Sequence, residues 1–140
     1  MVVLPIISTI VWQEPIIQLR AGRFMHTDGI IIGAPTLHDM HLEDAKEFIA
    51  LFKKLEPDGN WCLLVDQRGV SRKLDAAARQ HMASEIRKHL HSLAILTGNT
   101  VSRFFASGII AALGMRTQAR AFDSDAEALR WIREAHATKA

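Results

Sequence analysis

The sequence predicts a single α/β domain built on a small mixed β-sheet. Four segments with helical periodicity alternate with short apolar runs, which is typical of a sheet with crossover helices. An Asp-Gly pair at residues 28–29 lies between two β-rich runs, as in a tight hairpin. The chain has 140 residues, of which 49% are hydrophobic and 23% charged. This is ordinary globular composition, and the length is sufficient to bury one core.

The first part of the chain is rich in β-forming residues. Residues 2–12 contain many Val and Ile and predict a strand or an extended arm. Residues 16–26 and 30–33 flank the Asp-Gly turn and predict an antiparallel hairpin, because Gly supplies the positive φ that a tight turn requires. We therefore expect an N-terminal arm or extra strand over residues 1–15, followed by one domain over residues 16–137.

Apolar periodicity predicts four helices. Their ranges are residues 42–55, about 75–89, about 101–113, and a final helix that ends near residue 135. The first has acidic residues in its first turn and lysines in its last turn, which complement the helix dipole. The final one follows Ser124 and Glu127, whose spacing matches a capping box.

Three short segments between these helices predict the remaining strands. Residues 61–65 are continuously apolar, as expected for a central strand buried on both faces. Residues 92–96 predict the next central strand, and residues 117–122 predict the last one.

Charge and cysteine usage exclude several classes of protein. The formal net charge of +2 is too small for nucleic-acid binding, which requires a clustered basic face. The single Cys62 fits a reducing compartment, and its apolar neighbours predict a buried structural thiol. No apolar run approaches the roughly 20 residues that cross a bilayer, and the start lacks the features of a signal peptide. We expect a cytoplasmic protein that binds no nucleic acid and does not insert stably into membranes.

No catalytic or metal-binding motif is visible. The chain contains neither a nucleophile elbow nor a phosphate-binding glycine motif. His38 and His41 have a spacing that would suit two metal ligands, but no third His and no Cys lies nearby, so we interpret them as polar residues leading into a helix. His81, His89 and His91 are interpreted as amphipathic positions around a helix boundary. We predict no catalytic residue, no metal and no cofactor.

The loops after the central strands are the more informative places, because open α/β sheets usually bind ligands at the carboxyl ends of their strands. The polar candidates in and after these loops are Asp66, Arg68, Gly69, Ser71, Asp75, Asn99, Thr100 and Arg103. Backbone N–H groups at a helix start can receive an anion. Alternatively, Asp66 and Gly69 simply shape a turn, and Asn99 or Thr100 simply caps a helix.

The helix predicted over residues 101–113 is apolar around nearly its whole circumference. Such a helix requires a second covering surface. The cover could be the N-terminal arm, a second subunit, a hydrophobic ligand or a membrane surface. Our hypothesis is a protein-partner or dimer contact at Phe104, Phe105 and Ile109, and burial within the same chain is the alternative.

Several motifs, in order and spacing, resemble a known family. They are Leu64-Val65-Asp66-Gln67-Arg68-Gly69-Val70, Ala94-Ile95-Leu96-Thr97 with Ser102-Arg103, residues 120–132 and residues 42–46. Together they resemble the small SpoIIAA-like proteins of bacteria, in the STAS superfamily (sulfate transporter and anti-sigma factor antagonist), over about residues 17–134. The resemblance implies a four- to five-stranded mixed sheet with about four helices packed mainly on one face, close to the CRAL-TRIO lipid-transfer fold.

The resemblance also implies a function. Anti-sigma factor antagonists bind a kinase-type anti-sigma factor and are switched by phosphorylation of a Ser at a helix start. Asp75 matches the acidic residue before that Ser, but Ala76 replaces the Ser itself, and Ser71 does not occupy the matching position. We predict a non-catalytic signalling module without this phospho-switch, which binds a protein partner or forms a homodimer. The alternative is a domain that binds a small hydrophobic ligand or lipid.

Overall fold

Six β-strands form one mixed sheet in which the order in space follows the order in sequence. The computed structural model describes residues 10–35, 39–68, 75–98, 110–111 and 118–139. The strands are β1 (Ile17–Leu19), β2 (Gly22–Thr27), β3 (Ile30–Pro35), β4 (Trp61–Asp66), β5 (Leu90–Leu96) and β6 (Ala119–Phe122). The helices in these ranges are α1 (Leu42–Leu55), α2 (Ala76–His89) and α3 (Asp125–Ala137). Ile110 and Ala111 also have helical backbone.

The first three strands are antiparallel. Asp28 and Gly29 join β2 to β3 with φ values of 52° and 78°, and the two positive angles confirm the predicted hairpin. Arg20 and Ala21 join β1 to β2, so the run expected as one strand is two strands separated by a turn. The expected count of four to five strands is therefore wrong. This turn was missed because neither of its residues is a Gly, Asn or Pro.

The remaining strands are parallel, which places the loops that follow them at one edge of the sheet. β3, β4, β5 and β6 run in the same direction, and α1 and α2 connect successive pairs of them. The carboxyl ends of these strands and the starts of α1, α2 and α3 therefore lie together, at what we term the carboxyl edge. The opposite side, where β4, β5 and β6 begin, is termed the amino edge.

Apolar side chains cover both faces of the sheet. On the face of α1 and α2, the ring of Phe24 lies 4.8 Å from Phe48 and 5.6 Å from Phe52, between ring centroids. On the other face, Leu129 and Ile132 of α3 belong to a second buried cluster with side chains of β3, β4, β5 and β6. The continuous apolar run of β4 is thus buried on both faces, as predicted. The expectation that helices pack mainly on one face is wrong for α3, because this helix covers the second face.

The chain before β1 contributes to that second face. Ile10 is buried in the cluster beneath α3, and Trp12 packs against the same cluster. The guanidinium of Arg23 lies 4.4 Å from the centre of the Trp12 ring. Ile10 and Trp12 therefore pack on the domain, whereas most of the strand or extended arm predicted over residues 2–12 lies outside the described residues.

Helix boundaries agree closely with the predictions. α1 spans Leu42–Leu55, as expected, and α2 begins at Ala76, because Asp75 is its N-cap and accepts a hydrogen bond of 2.7 Å from the N–H of Ala78. Ser124 caps α3 by accepting from the N–H of Glu127 at 3.4 Å. Most of the helix predicted over residues 101–113 lies outside the described residues. In the described ranges, no helix has the length and apolarity that spanning a bilayer would require.

Gly33 provides a test of packing inside the sheet. It pairs with Phe24 across β2 and β3, and a Cβ atom at this position would lie 2.6 Å and 2.8 Å from two carbons of the Phe24 ring. We expect Gly33→Ala to lower the free energy of unfolding by about 1–2 kcal/mol, because the ring is held by the buried cluster. Urea denaturation followed by circular dichroism measures this. In a Phe24→Leu background the same substitution should cost less than half as much, and an equal cost in both backgrounds would contradict the explanation.

Candidate functional site

The carboxyl edge contains an ion pair between two residues singled out by sequence. Asp66 is the last residue of β4, and the Arg68 guanidinium binds both oxygens of its carboxylate, with Nε–Oδ1 and Nη2–Oδ2 distances of 3.0 Å and 2.9 Å. The backbone N–H of Arg68 also donates to Asp66 Oδ1, at 3.0 Å. This bidentate contact raises the pKa of the Arg68 guanidinium above its ordinary value. Arg68 is therefore held close to the end of β4.

Arg68 also connects this loop to two neighbouring elements. Its Nη1 lies 3.7 Å from the Oδ2 atom of Asp125, which is only 8% exposed in the first turn of α3. Gly98, two residues after β5, packs closely against Arg68. A Cβ atom added at Gly98 would lie 3.3 Å from the Arg68 Cα. The Asp66–Arg68–Asp125 network thus joins the end of β4 to the start of α3, and Gly98 lies beside it.

A second ion pair lies at the same edge, beside α1. The Arg20 guanidinium, in the turn between β1 and β2, binds the carboxylate of Asp44, with an Nε–Oδ1 distance of 2.9 Å, and donates to the backbone oxygen of Asp39 at 2.7 Å. Asp44 is 4% exposed and accepts a further bond of 2.9 Å from the N–H of His41. The hydrogen bond from Arg20 is the main reason that the pKa of Asp44 lies below its ordinary value.

Asp75 connects the starts of α1 and α2. Its N–H donates to the backbone oxygen of Met40 at 3.3 Å, and its Oδ2 lies 3.7 Å from His41 Nδ1. The Asp75 side chain remains 45% exposed and that of His41 remains 64% exposed. These two side chains are therefore accessible to a partner at this edge.

The structure brings together part of the predicted set. Asp66 and Arg68 are in contact, and Asp75 lies at the same edge. The other predicted residues lie outside the described residues: Gly69, Ser71, Asn99, Thr100, Arg103, Phe104, Phe105 and Ile109. The hypothesis of a partner, dimer or apolar-ligand contact at the last three of these therefore remains a prediction. Sequence analysis missed Arg20, Asp44 and Asp125 as members of ion-pair networks, because their partners are distant along the chain.

The amino edge contains a feature that sequence analysis did not identify. Trp61 pairs with Leu90, whereas Cys62 pairs with Ser92, so His91 is an extra residue in β5. Such a bulge redirects a side chain, and bulges are frequent beside functional sites. The His91 Nδ1 atom consequently lies 2.6 Å from Ser92 Oγ and 3.7 Å from Cys62 Sγ, on the side of the sheet that α3 covers.

Burial changes the acid–base behaviour of this group of side chains. Burial is the largest cause of a lowered pKa for His91, and the nearby positive charges of Lys139 and His136 lower it further. Burial likewise raises the pKa of the Cys62 thiol. Cys62 is 0% exposed, which confirms the predicted buried thiol. The site therefore holds a neutral imidazole and a protonated thiol at neutral pH.

A cleft of about 350 Å³ opens between the start of β5 and the last turns of α3. Its lining residues are His91, Ser92, Gln118, Trp131, Glu134, Ala135 and Thr138. The Gln118 amide nitrogen donates to the backbone oxygens of Leu90 at 3.4 Å and His91 at 3.3 Å, which fixes the residue before β6 against the bulge. No sequence motif marks this cleft, because its walls come from three separate segments.

The described residues contain no cluster of three or more His, Cys, Asp or Glu side chains that is suited to a metal ion. Of the two histidines whose spacing would suit metal ligands, His41 lies beside Asp75. His38 lies outside the described residues.

The fold and these two edges define a small mixed α/β domain with an ion-paired carboxyl edge and a polar cleft at its amino edge. A family model matches residues 24–136, and the chain belongs to this family, which is described as a domain of unknown function (DUF7793). No curated protein matches the chain significantly, and neither does any solved structure.

Proposed function

We propose that this domain is a non-catalytic STAS-like module that binds a protein partner through its carboxyl edge. The observation that carries this proposal is the Asp66–Arg68–Asp125 network, which fixes Arg68, two residues after β4, between the end of β4 and the start of α3. A surface held in one arrangement loses little conformational entropy on binding. Charged groups that are already paired with each other also suit the binding of a partner better than they suit catalysis, which requires a free acid or base.

Accessible charge at the same edge supports a macromolecular partner. The side chains of His41 and Asp75 are 64% and 45% exposed, and that of Arg20 is 47% exposed. These groups lie at the starts of α1 and α2 and in the neighbouring turn between β1 and β2, not inside an enclosed cavity. Exposed charges of both signs are typical of the rim of a protein interface.

The resemblance to SpoIIAA-like proteins supports the same edge. Asp75 caps α2, and Ala76 is the first residue of that helix, in the position that the resemblance assigns to the phosphorylated Ser. Ala has no hydroxyl group, so we propose that partner binding is not switched by phosphorylation at this position. The free thiol of Cys62 supports a reducing, cytoplasmic setting for the module.

Site-specific photo-crosslinking in cells tests the proposal. A photo-reactive amino acid replaces Ala77, an exposed residue in the first turn of α2, or Asp58, an exposed residue after α1 at the amino edge. We expect a covalent protein adduct from position 77 and none from position 58. Because the network positions the edge, Arg68→Glu should reduce the adduct at least about tenfold, in the range of a typical interface hot spot.

The mass of the adduct identifies the kind of partner. Twice the mass of the chain indicates a homodimer, and another mass indicates a different protein. Equal adducts from both positions, or an adduct from position 77 that Arg68→Glu leaves unchanged, would overturn the proposal. Circular dichroism spectra of all variants verify that each remains folded.

A further inference from the structure

The cleft at the amino edge offers hydrogen-bond acceptors beside an aromatic ring. We propose that it binds a primary ammonium or guanidinium group, from a free amine or from a basic side chain. The site is separate from the carboxyl edge, so the proposal does not depend on the function proposed above.

The hydrogen bonds around His91 determine which atoms remain for a ligand. The Thr138 hydroxyl donates to the backbone oxygen of Ala135 at 2.6 Å, so it can only accept from His91 Nε2, which lies 3.5 Å away. The imidazole therefore carries its proton on Nε2, and its Nδ1 accepts from the Ser92 hydroxyl at 2.6 Å. The donors of these three side chains are thus all used within the protein.

The acceptors, in contrast, remain for a ligand. The Gln118 nitrogen is bound to two backbone oxygens, so the oxygen of this amide is the atom that can receive a bond from a ligand. Glu134 adds an exposed carboxylate to the lining. Apart from the indole N–H of Trp131, the side chains of the cleft therefore offer acceptors, which match a ligand rich in N–H donors.

Two further features favour a positive charge on that ligand. The ring of Trp131 lies in the wall, packed on Phe122 at 5.7 Å, and the face of an indole attracts cations. Glu134 and Thr138 lie in and just after the last turn of α3, where the helix dipole is negative.

The basic residues near the cleft are not among the side chains that line it. The Lys139 ammonium lies 3.7 Å from Glu56 Oε1, so a carboxylate compensates its charge. The ring of His136 packs directly on Gly29, in the turn between β2 and β3. His91 does not add a charge at neutral pH, because its pKa is lowered. Among the side chains that line the cleft, the carboxylate of Glu134 is therefore the charged one at neutral pH, and it lies at the negative end of the helix dipole.

A titration followed by ¹H–¹⁵N NMR tests the proposal at pH 7 and constant ionic strength. The probes are n-butylammonium, agmatine and acetyl-arginine amide, and n-butanol and butyrate are the matched neutral and anionic controls. We expect saturable shifts of the Trp131 indole and of the Ser92 amide with the cations alone. Glu134→Gln should weaken agmatine binding about tenfold, because it removes a charge-assisted hydrogen bond. Glu127→Gln, an exposed change on the same helix, should leave the affinity unaltered.

Each outcome has one interpretation. Binding of acetyl-arginine amide as tightly as agmatine points to a basic side chain as the natural ligand, whereas binding of the free amines alone points to a small molecule. Equal shifts with butyrate or n-butanol, shifts that do not saturate, or an unchanged affinity in Glu134→Gln would overturn the proposal. The titration should be the same in Arg68→Glu, so failure at this cleft is distinguishable from failure of the carboxyl-edge proposal.

Discussion

Trp61→Ala is expected to lower the free energy of unfolding by about 3–5 kcal/mol. The Trp61 side chain is fully buried and connects three elements of the fold. Its ring centre lies 5.5 Å from Phe52 of α1 and 4.7 Å from His89 of α2, and its indole N–H donates to the backbone oxygen of Glu56 at 3.0 Å. Removing the ring leaves a cavity between β4 and both helices, and the Glu56 oxygen loses its donor.

Urea denaturation followed by far-ultraviolet circular dichroism measures this loss. Trp61→Phe should cost about 1–2 kcal/mol, because it retains most of the ring contact and removes the hydrogen bond. Val11→Ala, at a position that is 67% exposed, provides the control and should change stability by less than about 0.5 kcal/mol. A loss below about 1 kcal/mol in Trp61→Ala would show that the face of α1 and α2 does not depend on this ring.

Asp44→Ala is expected to lower the free energy of unfolding by about 2–3 kcal/mol at pH 7. The substitution removes two kinds of contact at once. The Asp44 carboxylate binds the Arg20 guanidinium and accepts from the N–H of His41, the N-cap of α1. The carboxylate also lies near the positive end of the α1 dipole. Glu43→Gln, in the same first turn but with an 82% exposed side chain, is the matched control and should change stability by less than about 0.5 kcal/mol.

The effect of Asp44 should depend on pH in a defined direction. The folded protein lowers the pKa of this carboxyl, so the unfolded chain binds the proton more readily. The stabilisation is therefore fully present above the unfolded pKa of about 3.9 and is lost as pH falls through the lower, folded pKa. Urea midpoints of wild type and Asp44→Asn should differ at pH 7, and the difference should shrink as pH falls below about 4 and vanish below the folded pKa. A difference that persists at low pH would show that the charge of Asp44 is not what stabilises the fold.

Part of the carboxyl edge was predictable from sequence. Asp66 and Arg68 follow a continuously apolar strand, and parallel strands place such residues at one edge, where ligands usually bind. Their pairing with each other is local, since they are two residues apart. Asp125 could not be predicted as the next member of this network, because its approach to Arg68 depends on how α3 returns across the sheet.

The cleft beside His91 could not be predicted from the sequence, for a different reason. A bulge depends on the register between two strands, and β4 and β5 are far apart along the chain. The continuous apolar run of β5 starts only at Leu93, after the polar pair His91 and Ser92, and this interruption after Leu90 is the one signal that the sequence contained. The neighbouring walls from Gln118 and α3 are added only by folding.

The sequence by itself determined the local structure of this protein: the bounds of α1, the Asp-Gly hairpin, the caps of α2 and α3, and an apolar strand that must be buried on both faces. These features depend on contacts between residues close in the chain, whose side-chain periodicity and turn chemistry are visible in the sequence. The tertiary structure alone decided that Arg20 and Ala21 divide one predicted strand into two, that α3 covers the second face, and that charges distant in sequence meet at the carboxyl edge. Each of these depends on strand register or helix placement, which are set by packing across the whole sheet and not by any local pattern.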